Sequence, residues 1–230
     1  MKFFKILLAL MGLALVMTLA VGNAVQEENK KHFRLKEPRL SPLPESQWNK
    51  EQARLLTPFK GEDGTILNVL TTLGRHTQMM DSYINFILYV ASQQTLPDRD
   101  REMLMLRIGW LCQSEYEFGQ HSLMAKQVGL TDDEIVRITK GPDGPGWSPF
   151  EATLLRAVDE LYYTDMISDA TWEALSEQYN EKQLIDVIIT VGQYNMVSWT
   201  LNSLGVQLEE GIPGFPEDAK KLNDQHGKIY

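Results

Sequence analysis

The sequence holds one cysteine, Cys112, in 230 residues. A single thiol cannot close an internal disulfide, so the fold must hold by packing, and no dithiol couple can cycle within the chain. Histidine is scarce too. There are four, with no HExxH and no CxxC spacing, and His32 and His226 fall in segments that read as loose. That leaves little from which to assemble a metal centre, and no cofactor is expected. Basic residues are outnumbered, 22 Lys and Arg against 31 Asp and Glu, and they form no cluster. Phosphate neutralisation needs Lys and Arg on one face, so nucleic acid is not an expected partner. Apolar–polar alternation bounded by hairpin turns is missing, as is any fixed-period repeat, and the expected class is all-α. What is present, 43% hydrophobic and 23% charged residues, suits one well-filled globular core.

The N-terminus, MKFFKILLALMGLALVMTLAVGNAVQEENKK, stands apart from that core. Lys2 and Lys5 form a basic start, Ile6 to Gly22 carries no charge, and Gly22-Asn23-Ala24 supplies small residues suited to signal-peptidase cleavage. Residues 1–24 are therefore expected to be a signal peptide, giving an exported (periplasmic or secreted) protein. Its removal takes the net charge from −9 to −11, because the segment carries two lysines and no acid. Retention of residues 6–22 as an N-terminal membrane anchor is the alternative, and a membrane is a partner only in that case.

Residues 25–46 are charged and proline-rich and read as a polar arm or linker, of a kind that can lie across a partner subunit. A helical domain is expected over 47–210, followed by an irregular tail over 211–230. Start and stop signals are clear. Pro97-Asp98 opens one helix, Thr131-Asp-Asp-Glu134 is a capping box, and Ser148-Pro149 caps and starts another after the KGPDGPGW loop. Ser168 begins a further helix. The last, EKQLIDVIITVGQYNMVSWTLNSLG, is apolar on most faces, which predicts burial centrally or at a subunit interface.

The chemistry concentrates in CQSEYEFGQHSLMAKQVGL, Cys112 to Leu130. At ~100° per residue, Ser114, Glu117 and His121 fall within about 60° of one another. They share a stripe with Trp110, Phe118, Ala125 and Val128, so the stripe reads as the buried face. Gln113, Tyr116, Gln120, Lys126 and Gln127 read as a largely polar opposite surface. Glu117 and His121 thus sit among apolar neighbours, where burial and pairing push their protonation equilibria in opposite directions. Such a pair is a candidate for proton transfer near neutral pH. It is equally a candidate for a structural hydrogen bond, and a metal site is a third reading. Cys112 lies roughly opposite Ser114 if the helix is unbroken, and a lone cysteine is most often an inert small hydrophobe.

The run TLPDRDREMLMLRIGWLCQSEYEFGQHSLMAKQVGLTDDEI, continued through GWSPFEATLLRAVDELYY to GQYNM, resembles the carboxymuconolactone decarboxylase-like family, which shares its fold with alkylhydroperoxidase D. The resemblance implies an all-α, alkylhydroperoxidase D-like helical domain, assembled as a homo-oligomer (trimer or hexamer) and acting on a small-molecule substrate. The hydroperoxidase branch uses a glutamate, a CxxC pair and a histidine. Its glutamate falls on Glu102 and its histidine on His121, but its cysteines fall on Ser114 and Glu117, and Cys112 matches neither. A thiol peroxidase is therefore disfavoured. Thr77 stands where relatives tend to have proline. The branch without CxxC implies a cofactor-free lyase or isomerase working by Glu/His proton transfer on a small carboxylated lactone or related organic acid. In that reading His121 is the acid/base, with Glu117 or Glu102 orienting it or shuttling its proton. Arg107 pairs with a substrate carboxylate or forms a structural salt bridge, and Ser114, Tyr194 and Asn195 line the pocket. A non-catalytic small-molecule binding or assembly protein of the same fold is the other class.

Overall fold

The computed structural model describes residues 35–217 and 219. The leader expected at 1–24, the first part of the arm and the end of the tail lie outside these residues. Among them the chain forms nine α-helices and no strand. They are α1 (Lys50–Leu56), α2 (Asn68–Leu73), α3 (Thr77–Leu88), α4 (Asp98–Leu111), α5 (Glu115–Gln127), α6 (Asp132–Thr139), α7 (Pro149–Thr164), α8 (Asp169–Ser176) and α9 (Glu181–Leu204). None is long and apolar enough to cross a membrane.

Local signals set the helix starts. Thr131 with Glu134, Ser148 with Glu151 and Asn180 with Gln183 form reciprocal capping boxes, which satisfy N–H groups that have no acceptor within the helix. Pro149 takes the first position of α7, where its missing N–H costs nothing.

The central element is α4. Every residue from Arg101 to Leu111 is buried, and α5, α7 and α9 pack around it. Its polar residues gather near the N-terminus, where Asp98 and Asp100 meet the positive end of the helix dipole. The run LMLRIGWL after them, apolar except for Arg107, has no wet face. The final helix α9, expected to be buried centrally or at a subunit interface, leaves one apolar face open on the single chain. Ile185, Ile188, Met196 and Trp199 are exposed there, Trp199 by 60%. They fall within an arc of about 80°.

The chain does not run straight from α4 into α5. Cys112 ends one helix, Gln113 adopts a left-handed φ of 52°, and Ser114 starts the next. The Gln113 backbone and side-chain N–H groups both donate to the Trp110 carbonyl, at 2.9 and 2.7 Å, which holds the turn. The condition for counting Cys112 and Trp110 in one helical phase with Ser114 is therefore not met, because the helix is broken between them. The turn folds α5 back along α4, and this reversal brings Glu102 opposite His121.

Two flanking segments cover this hairpin. Arg39, in the stretch read as a free arm, donates its backbone N–H to Leu204 at 2.8 Å, and Leu43 is buried. The arm thus lies along its own domain from residue 35. After α9 the chain crosses α5 and places Phe215 edge-on to Trp110 and Phe118, with centroids at 5.0 and 5.2 Å. Glu209 in this strap accepts from the Tyr116 hydroxyl and the Asn68 N–H, each at 2.7 Å, and from the Gln120 amide. That corrects the polar-surface reading for two residues: Tyr116 and Gln120 are buried, because a distant acidic residue satisfies them. Gly119 is required at the crossing, since a Cβ there would meet the Pro213 carbonyl oxygen at 2.3 Å.

Candidate acid-base site

The α4–α5 hairpin sets Glu102 on one helix against Glu117 and His121 on the other. His121 Nδ1 lies 2.7 Å from Glu102 Oε2, and Nε2 lies 3.1 Å from Glu117 Oε1. The three residues are 7%, 3% and 6% exposed for His121, Glu102 and Glu117. Each ring nitrogen therefore faces a carboxylate oxygen, and only the imidazolium form can donate to both. Burial by itself would lower the His121 pKa. The Glu102 carboxylate, by charge and by hydrogen bond, and then Glu117 outweigh it, and the pKa is raised to about 10. At neutral pH His121 is therefore an imidazolium held between the two carboxyl groups.

Helix α9 closes the site with Tyr194, whose ring meets the imidazole edge-on at 4.9 Å and 85°. Burial, then the Glu117 and Glu102 charges, push its phenol well above its usual range, so it stays protonated. Its neighbour Gln193 donates to the hydroxyl of Tyr83 on α3. Burial raises the Tyr83 pKa as well, opposed by that hydrogen bond. Four buried polar atoms on α4, α5 and α9, the helices that supply the array and Tyr194, have no hydrogen-bond partner among the described residues: Arg101 Nε, Ser114 Oγ at the start of α5, Gln193 Oε1 and Ser198 Oγ. Ser198 lies one turn beyond Tyr194 on α9, and Ser114 one turn before Glu117 on α5. Idle polar atoms of this kind concentrate where a ligand or an ordered water completes the bonding.

Of the residues expected from sequence, Glu102, Glu117, His121 and Tyr194 come together here, and Ser114 is buried at the start of the same helix as Glu117. Arg107 does not. Its guanidinium forms a fork on Asp159 of α7, at 2.6 and 2.9 Å, and donates to the Ile138 and Thr139 carbonyls at 3.1 Å each. Fully engaged in this way, it pins α4 to α6 and α7 and is not placed to take a substrate carboxylate. Asn195 turns aside as well, its Oδ1 accepting from the Cys112 thiol at 2.9 Å. Arg101, Gln193, Tyr83 and Ser198 were missed. Arg101 is adjacent to Glu102, so one turn of α4 offered two arginines and sequence gave no reason to choose between them. No group of His, Cys, Asp and Glu among the described residues is arranged to hold a metal ion, and both His121 nitrogens are already occupied.

The helical arrangement is that of the alkylhydroperoxidase D-like class. A peroxidase-related protein of the alkylhydroperoxidase AhpD core type from Ralstonia eutropha JMP134 superposes with a TM-score of 0.66 at 13% identity, covering 75% of this chain and 94% of that one. A peroxidase-related protein from Silicibacter sp. TM1040 gives 0.64 at 15% identity, over 80% and 95%. The debrominase Bmp8 in complex with 2,3,4-tribromopyrrole gives 0.62 at 12% identity, over 84% and 99%. No curated protein matches the chain significantly. Residues 77–160 match the carboxymuconolactone decarboxylase family, and the fold is that of the alkylhydroperoxidase D-like structures.

Proposed function

We propose that this protein is a cofactor-free lyase or isomerase that moves a proton on a small unsaturated organic acid or carboxylated lactone. The observation that carries the reading is the buried Glu102–His121–Glu117 array, with both imidazole nitrogens on carboxylates. Loss of CO₂ from such a substrate leaves an electron-rich dienolate that needs one proton at carbon and stabilisation of its oxygen. Glu102 holds Nδ1 by the shorter contact and orients the ring. The proton leaves from Nε2 through Glu117, the carboxylate nearer to Ser114 in the chain. His121 is the reservoir and Glu117 the shuttle. Tyr194, protonated at any physiological pH, and the Ser114 and Ser198 hydroxyls are the donors available to a developing oxyanion.

A dithiol peroxidase cycle needs a second thiol that this chain lacks. A non-catalytic binder of the same fold has no need of a charged array at its centre, and turnover separates the two. His121→Ala is expected to abolish CO₂ release or solvent deuterium incorporation across a panel of unsaturated lactone carboxylates, with the helical circular dichroism retained. Wild-type protein inert to the whole panel, or His121→Ala as active as wild type, would sink the enzyme reading. We further propose that a homo-oligomer forms on the open α9 face, whose four exposed apolar side chains lie at helical spacing.

A further inference from the structure

We infer that Arg101 is a carboxylate anchor, which selects small unsaturated monocarboxylates over their neutral analogues at the Glu102–His121–Glu117 site. The guanidinium is buried to 8% exposure, yet it is under-used. Nη1 donates to Asp98 at 2.7 Å, a carboxylate whose side chain is itself 67% exposed. Nε has no hydrogen-bond partner; it makes an ion-pair contact with Glu102 Oε1 at 4.0 Å, beyond hydrogen-bond reach. The contrast with Arg107 six residues on is direct: four hydrogen bonds there, one here, on the same central helix.

A buried guanidinium with a single hydrogen bond is under-satisfied, and guanidinium geometry suits two parallel bonds to one carboxylate. The position is also suited to a ligand. Arg101 Nε lies 4.0 Å from Glu102 Oε1, Glu102 holds His121, and Tyr194 meets the His121 ring edge-on. A carboxylate on Arg101 would therefore extend its unsaturated chain past the Tyr194 ring toward Glu117 and the idle Ser114 and Ser198 hydroxyls. Asp98, free to swing into solvent, acts as the resident stand-in that the ligand displaces.

The inference rests on the ligand lying at the proposed catalytic site, but its readout is binding and does not need turnover. The test uses the purified full chain with sorbate as probe and its primary amide, sorbamide, as the neutral control. Titrations are followed by calorimetry and by the ring resonances of His121 and Tyr194. Sorbate is expected to bind saturably and shift both rings. Arg101→Gln is expected to raise the sorbate Kd by roughly tenfold or more, the scale of a lost charge-assisted bidentate contact. Asp98→Asn, an exposed and mild change, is expected to lower the sorbate Kd several-fold by removing the competitor. Sorbamide affinity is expected to change little in either variant. A purely structural role for Arg101 predicts that Asp98→Asn leaves sorbate affinity unchanged or weakens it, and that outcome overturns the proposal even if Arg101→Gln fails to fold. Failure of sorbate to bind wild type, or equal effects on acid and amide, overturns it as well. If sorbate binds as described while His121→Ala and wild type are equally inactive, the anchor stands and the lyase reading falls.

Discussion

If His121 is held as an imidazolium between two carboxylates, stability must fall as the solution turns alkaline. The group has a folded pKa of about 10 against an ordinary 6.5. A raised pKa in a basic group contributes stability that is fully present below the unfolded value and lost as pH rises through the folded one. In the window from about pH 7 to 9 the native chain holds one proton that the unfolded chain has released, and each pH unit costs about 1.4 kcal/mol. Two units therefore remove on the order of 3 kcal/mol, a large share of the ~5–15 kcal/mol typical of a domain. The assay is urea denaturation at half-unit pH steps from 6 to 9.5, paired with the same series on Glu102→Gln/Glu117→Gln/His121→Gln. That triple variant keeps similar shapes and hydrogen-bonding groups with nothing left to titrate. Wild type should lose stability steadily across the window, and the variant should lose none from this source. A flat wild-type profile, or an identical slope in both proteins, would show that His121 is neutral at pH 7 and that the reservoir role is wrong.

The remaining expectations concern packing and assembly. Arg107→Met should destabilise the protein by about 3–5 kcal/mol in urea melts, because it strips a buried ion pair and two carbonyl partners. It should leave the His121 and Tyr194 ring environments unchanged, and a selective loss of ligand binding with normal stability would restore Arg107 to the site. Ile185→Glu/Trp199→Glu places charge on the open α9 face and should convert an oligomer into monomer in sedimentation velocity, with little change in circular dichroism. Wild type sedimenting as monomer at micromolar concentration would refute the interface.

Much of the site was legible because its parts share one helix. Glu117 and His121 are four residues apart, so helical geometry alone places them side by side, and apolar neighbours mark their face as the buried one. Glu102 entered through family resemblance, since nothing local says that a residue nineteen positions upstream returns to the same ring. Its placement depends on the reversal at Cys112–Gln113–Ser114, where a glutamine takes a backbone conformation that sequence would have assigned to glycine. The arginines show the limit more sharply. Arg101 and Arg107 are both buried on α4 but meet different partners: Asp159 and two carbonyls from α6 and α7 for Arg107, Asp98 and Glu102 of its own helix for Arg101. Tyr116 and Gln120 read as surface because the residue that satisfies them, Glu209, lies about ninety positions away.

Periodicity, caps and the lack of strand patterning therefore determined the helical class, the helix starts and the pairing of Glu117 with His121, since each depends on interactions within a few residues. Tertiary structure alone decided that both imidazole nitrogens meet carboxylates, that Arg107 makes four hydrogen bonds and Arg101 one, and that the strap buries one face of α5. Those outcomes turn on which distant charge arrives in a dry interior. There a partner's presence or absence changes the energy of a polar group by more than any local preference does.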